Sequence, residues 1–329
     1  MTAHRPVISI IIPVWDEADT IAPLIQRLQQ LSSDTTHHLF DFIFVNDGST
    51  DRTQEELLKL LPGLPRWRVV KLSRNFGQQA AYRAGLDQAA GDAVVFLDGD
   101  LQDPPEVIPA MIDAWEHGSM VVVGRRKSRP ERGLRGFLMR RFHDVFHVVT
   151  GGLMPKGSGT FGLMDKKVAN AVKAMPELNI FLPALRSWVG YKHGYVWYNR
   201  AAREGKPKQT LSKLFNYAWD GILSFSELPL RTISWVGVLI SLIGFGYASV
   251  LIAIKILQLF GYFKDLIVPG FTTIAVAVLC VGGIQLISLG VLGQYIARIY
   301  REVKRRPLYL TEEIVSSEPT DESGRVQKS

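Results

Sequence analysis

One cysteine, Cys280, stands in 329 residues. A single thiol cannot close an internal disulfide or build a cysteine metal site, so both frameworks are excluded. Histidine is sparse, with seven in the chain. His143 and His147 lie four apart, as two ligands on one helix face would. No third ligand stands at a suitable spacing, so a zinc site is not expected. Charge is missing altogether from two long stretches. Trp235 to Ile254 is 20 residues without a charged side chain, and Leu266 to Ala297 is 32. A bilayer crossing needs about 20 apolar residues, so two transmembrane helices are expected, at about 233–258 and 270–297.

Acids are outnumbered, 31 Asp and Glu against 38 Lys and Arg, giving a net charge of +7. An anionic membrane surface accounts for that excess better than nucleic acid does. Basic residues also set the topology. Arg231 precedes the first apolar stretch, and Arg298, Arg301, Lys304, Arg305 and Arg306 follow the second. The intervening loop offers Lys264 beside Asp265. Positive residues favour the cytoplasmic side, so both termini and the N-terminal part are expected in the cytoplasm, at the inner membrane. The early apolar run Val7 to Val14 is short and leads straight into Asp16 and Glu17, so it does not read as a signal peptide. From Arg125 to Arg141 there are eight Lys or Arg and one acid, with Leu134, Leu138, Phe142 and Val145 at helical spacing. This reads as an amphipathic helix over about 130–150 lying on the bilayer. A second such helix is expected at about 208–228.

The first 125 residues alternate in pattern. "VISIIIP", "FDFIFVND", "WRVVKLS", "AVVFLD" and "SMVVVG" read as strands. Helical patterns lie between them, over Thr20–Leu31, Thr53–Leu61, Gln78–Ala90 and Pro105–Glu116. Near-continuous apolar strands separated by helices predict an α/β fold, a mostly parallel sheet with helices on both faces. The expected organisation is a cytoplasmic domain over 1–230, two spans within 231–306, and a polar, disordered tail over 307–329.

Two of those strands end in acids. "FIFVNDGSTD" closes on Asp47, and "AVVFLDGDLQDPPE" on Asp98, Gly99 and Asp100. In a parallel sheet these groups emerge at one edge, where such sheets bind ligands. Carboxylates flanking a glycine suit a hard divalent cation shared with phosphates, Mg²⁺ or Mn²⁺, and Gln102 could add a carbonyl oxygen.

A rival signal lies further on. Gly157 to Gly162 in "GSGTFGLMD" matches G-x-G-x-x-G, the pattern of a dinucleotide-binding loop. That loop needs a strand before it and a helix starting within it. "GGLMPK" precedes it instead, so a nicotinamide or flavin site is not expected.

The segments "SIIIPVWDE", "VNDGSTDRT", "LSRNFGQQAAYRAGL" and "LDGDLQDPPE" together resemble family 2 glycosyltransferases with an A-type fold. More narrowly, "DGILSFSELPLR", "GGIQLISLGVLGQYIARIYREVKRRPLYL" and the two apolar stretches resemble polyprenyl-phosphate hexosyltransferases of the bactoprenol glucosyltransferase kind, related to dolichol-phosphate mannose synthases. The resemblance spans about residues 7–310. It implies inverting, metal-dependent transfer of a hexose, glucose from UDP-glucose in the first instance, to polyprenyl (undecaprenyl) phosphate. GDP-mannose, UDP-galactose or an aminoarabinose nucleotide are alternative donors. An inactive membrane scaffold that keeps the fold is a further alternative. A processive polysaccharide synthase is disfavoured, because no Gln-x-x-Arg-Trp segment is present.

The resemblance also implies roles. Pro13, Glu17 and Asp47 would line the nucleoside pocket, while Asp98, Asp100 and Gln102 would hold metal and diphosphate. Arg125, just past the fifth strand, and Lys208 would face phosphate. A homo-oligomer, possibly a tetramer, is implied as well. Two segments depart from the pattern. "GKPKQ" carries Pro207 and Gln209 where a small hydroxyl residue and an aromatic are usual. The "GTFGLMD" segment, read as an acceptor-side loop, has Thr160 in place of an aspartate base and Gly162 in place of an arginine. The base matters less if the acceptor is a phosphate monoester. Its second pKa is about 6, so its oxygen is already largely anionic at neutral pH. Asp165 is expected to cap the following helix.

Overall fold

The computed structural model describes residues 5–127, 158–175, 177, 181–199, 228–260, 262 and 270–317. The expected interfacial helices and Lys208 fall outside these residues. Contacts divide the chain into two units, one formed by 1–214 with 306–329 and the other by 215–305.

The first unit is built on strands β1 (Val7–Val14), β2 (Leu39–Asn46), β3 (Trp67–Leu72), β4 (Ala93–Phe96), β5 (Val121–Arg126), β6 (Ser158–Asp165), β7 (His193–Tyr198) and β8 (Thr311–Ser316). They form one sheet in the order β7-β5-β6-β4-β1-β2-β3-β8. β1 to β5 and β7 run parallel, while β6 and β8 run antiparallel to their neighbours. Helices α1 (Ala18–Asp34), α2 (Thr53–Leu60), α3 (Gln78–Gln88), α4 (Ile108–Glu116), α5 (Lys166–Lys173) and α6 (Leu182–Trp188) complete the unit.

The expected parallel α/β architecture is therefore present, and its cause is visible in the burial. Ile8, Ile10 and Ile12 of β1 point to one face and Ile11 to the other, and all four are fully buried. Such continuous apolar strands need helices on both sides. α1 supplies one cover by burying Ile21, Leu24, Ile25, Leu28 and Leu31, a helical stripe. Each such side chain contributes about 1.5–3 kcal/mol when taken from water.

Two expectations about the sheet need correction. "GSGTFGLMD", expected as a loop, is almost wholly strand. From Ser158 onward it is β6, inserted antiparallel between β4 and β5. The segment after Thr311 is not a disordered tail at its start. It pairs as β8 with β3, from Leu72↔Thr311 to Arg68↔Ser316. Ordinary edge physics explains this, since the outer side of β3 presents unpaired backbone groups that an extended segment satisfies. Tyr309 strengthens the attachment, its hydroxyl donating to Asp87 Oδ2 at 2.8 Å.

The second unit contains two long helices, α7 (Leu228–Leu259) and α8 (Gly270–Lys304). Within α7, Thr232–Ile254 is 23 residues with a mean hydropathy of 2.2, long and apolar enough to cross a bilayer by length and composition. Two spans were expected, and this one stretch meets both criteria among the described residues. α8 covers the second expected span and leaves Leu286, Ile287, Leu289 and Ile296 exposed.

Candidate active site

Parallel strands deliver their following loops to one edge, and the acids of the sequence gather there. Asp98 follows β4 and is partly buried. Its Oδ1 accepts from Gln78 Nε2 at 2.7 Å and from the Tyr82 hydroxyl. Both donors come from α3, which lies close against the sheet. A Cβ at Gly85 would sit 2.3 Å from Ile11 Cγ2, so only glycine allows that approach. Burial, followed by the charge of Asp98, pushes the Tyr82 phenol well above its ordinary pKa. The phenol therefore stays protonated and donates.

The loop after Asp98 is pressed onto the end of β1. A Cβ at Gly99 would lie 2.9 Å from the Pro13 carbonyl oxygen and 2.9 Å from Val14 Cγ1. Thr20 Oγ1 donates to the Gly99 carbonyl at 3.2 Å. Leu101 takes φ +60, a left-handed conformation that a bulky residue adopts only when its surroundings impose it. Asp100 Oδ1 accepts from the Gln102 amide at 3.1 Å, and Gln102 is buried.

Asp103, two residues past Leu101, is almost fully buried, and its Oδ1 accepts from the Tyr198 hydroxyl at 2.6 Å. Arg126 Nε donates to that same hydroxyl at 3.2 Å, and Arg126 Nη2 lies 3.9 Å from Asp103 Oδ2. Burial works against the charged guanidinium, but Asp103, Tyr198 and Asp98 outweigh it and hold its pKa above the ordinary value.

One detail of the expectation for Arg125 changes, its placement just past the fifth strand. It lies within β5, and its guanidinium carbon sits 3.8 Å from the Tyr195 ring centroid and 5.5 Å from that of Trp197. Successive side chains on a strand face opposite ways. Arg126 is thus the arginine on the side of Asp103.

Asp47 reaches the same edge, where backbone amides hold it. It is 3% exposed, and its two oxygens accept from the Phe76 amide at 2.7 Å and the Gly77 amide at 2.9 Å. Burial raises its pKa, opposed by those two amides and by Arg74. Asp47 therefore anchors the loop that begins α3. Asp51 braces the neighbouring turn, accepting from the Thr53 amide at 2.9 Å and the Ala18 amide at 3.3 Å. Pro13, one residue before the end of β1, is partly buried, and the Glu17 amide donates to Thr53 Oγ1 at 2.9 Å.

Thr160 lies on β6. The β4–β6 register pairs Phe96 with Gly162, and continuing it by two residues brings Asp98 and Thr160 to the same edge. Asp165 caps α5 as expected, its side chain accepting from the Lys167 amide. It also accepts from Trp115 Nε1 at 2.9 Å.

Among the described residues, no group of three or more His, Cys, Asp or Glu is arranged to hold a metal by protein ligands alone. Asp98 and Asp100 offer a different donor set, two carboxylates on one tight loop. A Mg²⁺-like ion typically takes one or two carboxylates and completes its shell with waters and substrate phosphates. The residues present fit an ion of that kind.

A mostly parallel sheet, acids at its carboxyl edge and an antiparallel strand set beside them define an A-type glycosyltransferase fold. The chain belongs to glycosyl transferase family 2, whose family model matches residues 9–172. It is a glycosyltransferase, 42% identical to one of Synechocystis over 93% of this chain and 95% of that protein. It is 37% identical to the bactoprenol glucosyl transferase of Shigella phage SfII, over 92% and 96% of the two chains. Among solved structures, it is similar to glucosyl-3-phosphoglycerate synthase from Mycobacterium tuberculosis, crystallised with Mn²⁺, UDP and phosphoglyceric acid. That similarity is 18% identity over 66% of this chain and 76% of the other, with a TM-score of 0.49.

Proposed function

We propose that the protein transfers a hexose from a nucleotide sugar to a polyprenyl phosphate at the cytoplasmic face of a membrane, with UDP-glucose as the first donor to test. The observation that carries this reading is the carboxylate pair Asp98 and Asp100 on a braced loop, in a chain that also has an exposed apolar helix long enough to span a bilayer. The name of the phage relative, a bactoprenol glucosyl transferase, supports the lipid acceptor and the sugar.

In this reading an oxygen of the lipid phosphate attacks the anomeric carbon from the face opposite the nucleotide. The new bond is carbon to phosphate oxygen, the bond to the nucleoside diphosphate breaks, and the configuration inverts. The attacking oxygen needs positioning more than deprotonation, because a phosphate monoester is already anionic near neutral pH. Mg²⁺ or Mn²⁺ held by Asp98 and Asp100, with Gln102 nearby, would neutralise charge on the departing diphosphate. Tyr82 and Gln78 hold Asp98 in place. Pro13, Glu17 and Asp47 shape the nucleoside end, Asp47 chiefly by fixing the Phe76–Gly77 loop. Arg126 takes the diphosphate-side role first given to Arg125, and Lys208 remains a phosphate contact in this scheme. Thr160 meets the acceptor phosphate. Both α7 and α8 cross the membrane.

The test is to incubate the purified full-length protein with undecaprenyl phosphate and a panel of labelled nucleotide sugars, with and without Mn²⁺. Lipid-linked product from one donor identifies that donor. Absence of product from every donor favours the inactive scaffold.

A further inference from the structure

The segment "FLPALRSW" carries one charge in an apolar stretch, and α6 folds it inward. Arg186 is 1% exposed, among the largest fully buried side chains. Its Nη1 donates to the Thr160 carbonyl at 3.0 Å and its Nη2 to the Gly159 carbonyl at 2.5 Å. Its Nε is buried without a partner. Among the described residues no carboxylate lies within ion-pair distance of it; the two backbone carbonyls and the nearby Tyr82 and Tyr195 phenols are the groups that favour its charge.

Gly162 is coupled to this arrangement. A Cβ there would lie 2.8 Å from Arg186 Nη1 and 2.5 Å from the Val122 carbonyl oxygen. Glycine is what leaves room for the guanidinium. The strand lacks an arginine of its own at 162, and a cation arrives from α6 instead.

Burying a cation without a counter-charge costs several kcal/mol, so the arrangement opposes stability. Burial lowers the Arg186 pKa to about 10, which still leaves the group protonated at neutral pH. An unneutralised buried charge makes its nearest accessible neighbourhood favourable for an anion. That neighbourhood is the Gly159–Thr160 edge, where Asp98 also emerges.

We infer that Arg186 is a positioning residue for the acceptor: it fixes the Gly159–Thr160 edge through two carbonyls and lends it a positive charge that no carboxylate among the described residues pairs with, which favours a phosphate monoester at Thr160. This rests on the lipid-phosphate reading above. The guanidinium acts through the strand and does not itself touch the substrate.

The experiment measures KM for undecaprenyl phosphate and for the nucleotide sugar separately, in the full-length wild type, Arg186→Lys and Arg186→Met. Charge-assisted hydrogen bonds of this kind are worth enough to expect about a tenfold or greater rise in acceptor KM for Arg186→Met, with donor KM within about twofold. Arg186→Lys keeps the charge but loses the fork, so its acceptor KM should rise about two- to fivefold. Equal changes in both KM values, or an unmoved acceptor KM in Arg186→Met, overturn the inference. Should Arg186→Met fail to fold, Arg186→Lys decides alone, and a wild-type acceptor KM overturns it. A wild type that makes no lipid-linked product defeats the lipid-phosphate reading itself, and the role of Arg186 with it. A productive wild type with insensitive variants defeats only the role of Arg186.

Discussion

Asp100 and Thr160 carry different burdens in this site, and single substitutions separate them. In the proposed reaction Asp100 belongs to the two-carboxylate donor set, whereas Thr160 would face an acceptor whose oxygen is already ionised. Asp100→Ala should therefore reduce transfer by about 100-fold or more, and Thr160→Ala by clearly less, since electrostatic groups dominate such sites. Rates at saturating nucleotide sugar check this, and equal losses would contradict it. The two arginines of β5 offer a second comparison. Arg126→Ala should raise donor KM about tenfold, as losing a charge-assisted contact does, while Arg125→Ala leaves it nearly unchanged. Donor KM values for the two variants settle it, and the reverse order would return the diphosphate role to Arg125.

The residues that were legible in the sequence share a property. Asp47, Asp98 and Asp100 end apolar strands, and strand ends can be read from composition. Arg126 was missed because adjacent strand positions face opposite ways and the phase had not been fixed. It is further obscured by a register shift between Val123 and Arg125. Arg186 did leave a signal, a lone arginine inside an apolar run. Tyr82 left none, because nothing in the pattern of α3 marks one buried tyrosine as the partner of a distant aspartate.

At the scale of elements, β6 and β8 were hidden for opposite reasons. Glycines at 157, 159 and 162 suggested a loop, yet Gly162 is demanded by close packing within a strand. β8 is polar, and its pairing depends on the free side of β3, which local sequence cannot show. Truncation after Leu310 should expose that edge and lower the melting temperature by about 5 °C, taking roughly 2 kcal/mol at 2–4 °C per kcal/mol for a domain of this size. An unchanged melt would mean that β8 contributes nothing. α1 and the turn just before α4 are joined by Arg27, which donates to Glu106 Oε1 at 2.8 Å and Oε2 at 2.5 Å. The hydrogen bond from Arg27 is the main cause holding the Glu106 carboxyl below its ordinary pKa. A depressed carboxyl pKa contributes stability above the unfolded value and loses it as pH falls through the folded value. Arg27→Gln should accordingly melt slightly below wild type at pH 6, and the two should converge once the pH has fallen through the folded-state pKa of Glu106. The effect is small because the pair is exposed. A gap that persists at pH 3 would assign the loss to packing instead.

The whole molecule joins a glycosyltransferase unit to a unit of long helices with exposed apolar side chains. The parallel order of the sheet followed from apolar runs alternating with helical ones, and the apolar helices from the absence of charge. The acceptor side is harder to read, because it depends on contacts between β6 and α6 that come from separate parts of the chain. The central claim is catalytic: in the proposed reaction, sugar passes from a soluble nucleotide to a lipid phosphate. Mass spectrometry of the lipid extract, after incubating full-length protein with UDP-glucose, undecaprenyl phosphate and Mn²⁺, tests it most directly. The account predicts a glucosyl phosphoryl lipid from wild type that is lost in Asp100→Ala and on chelation of the metal. Undiminished product in Asp100→Ala, or product that persists with metal removed, would contradict it.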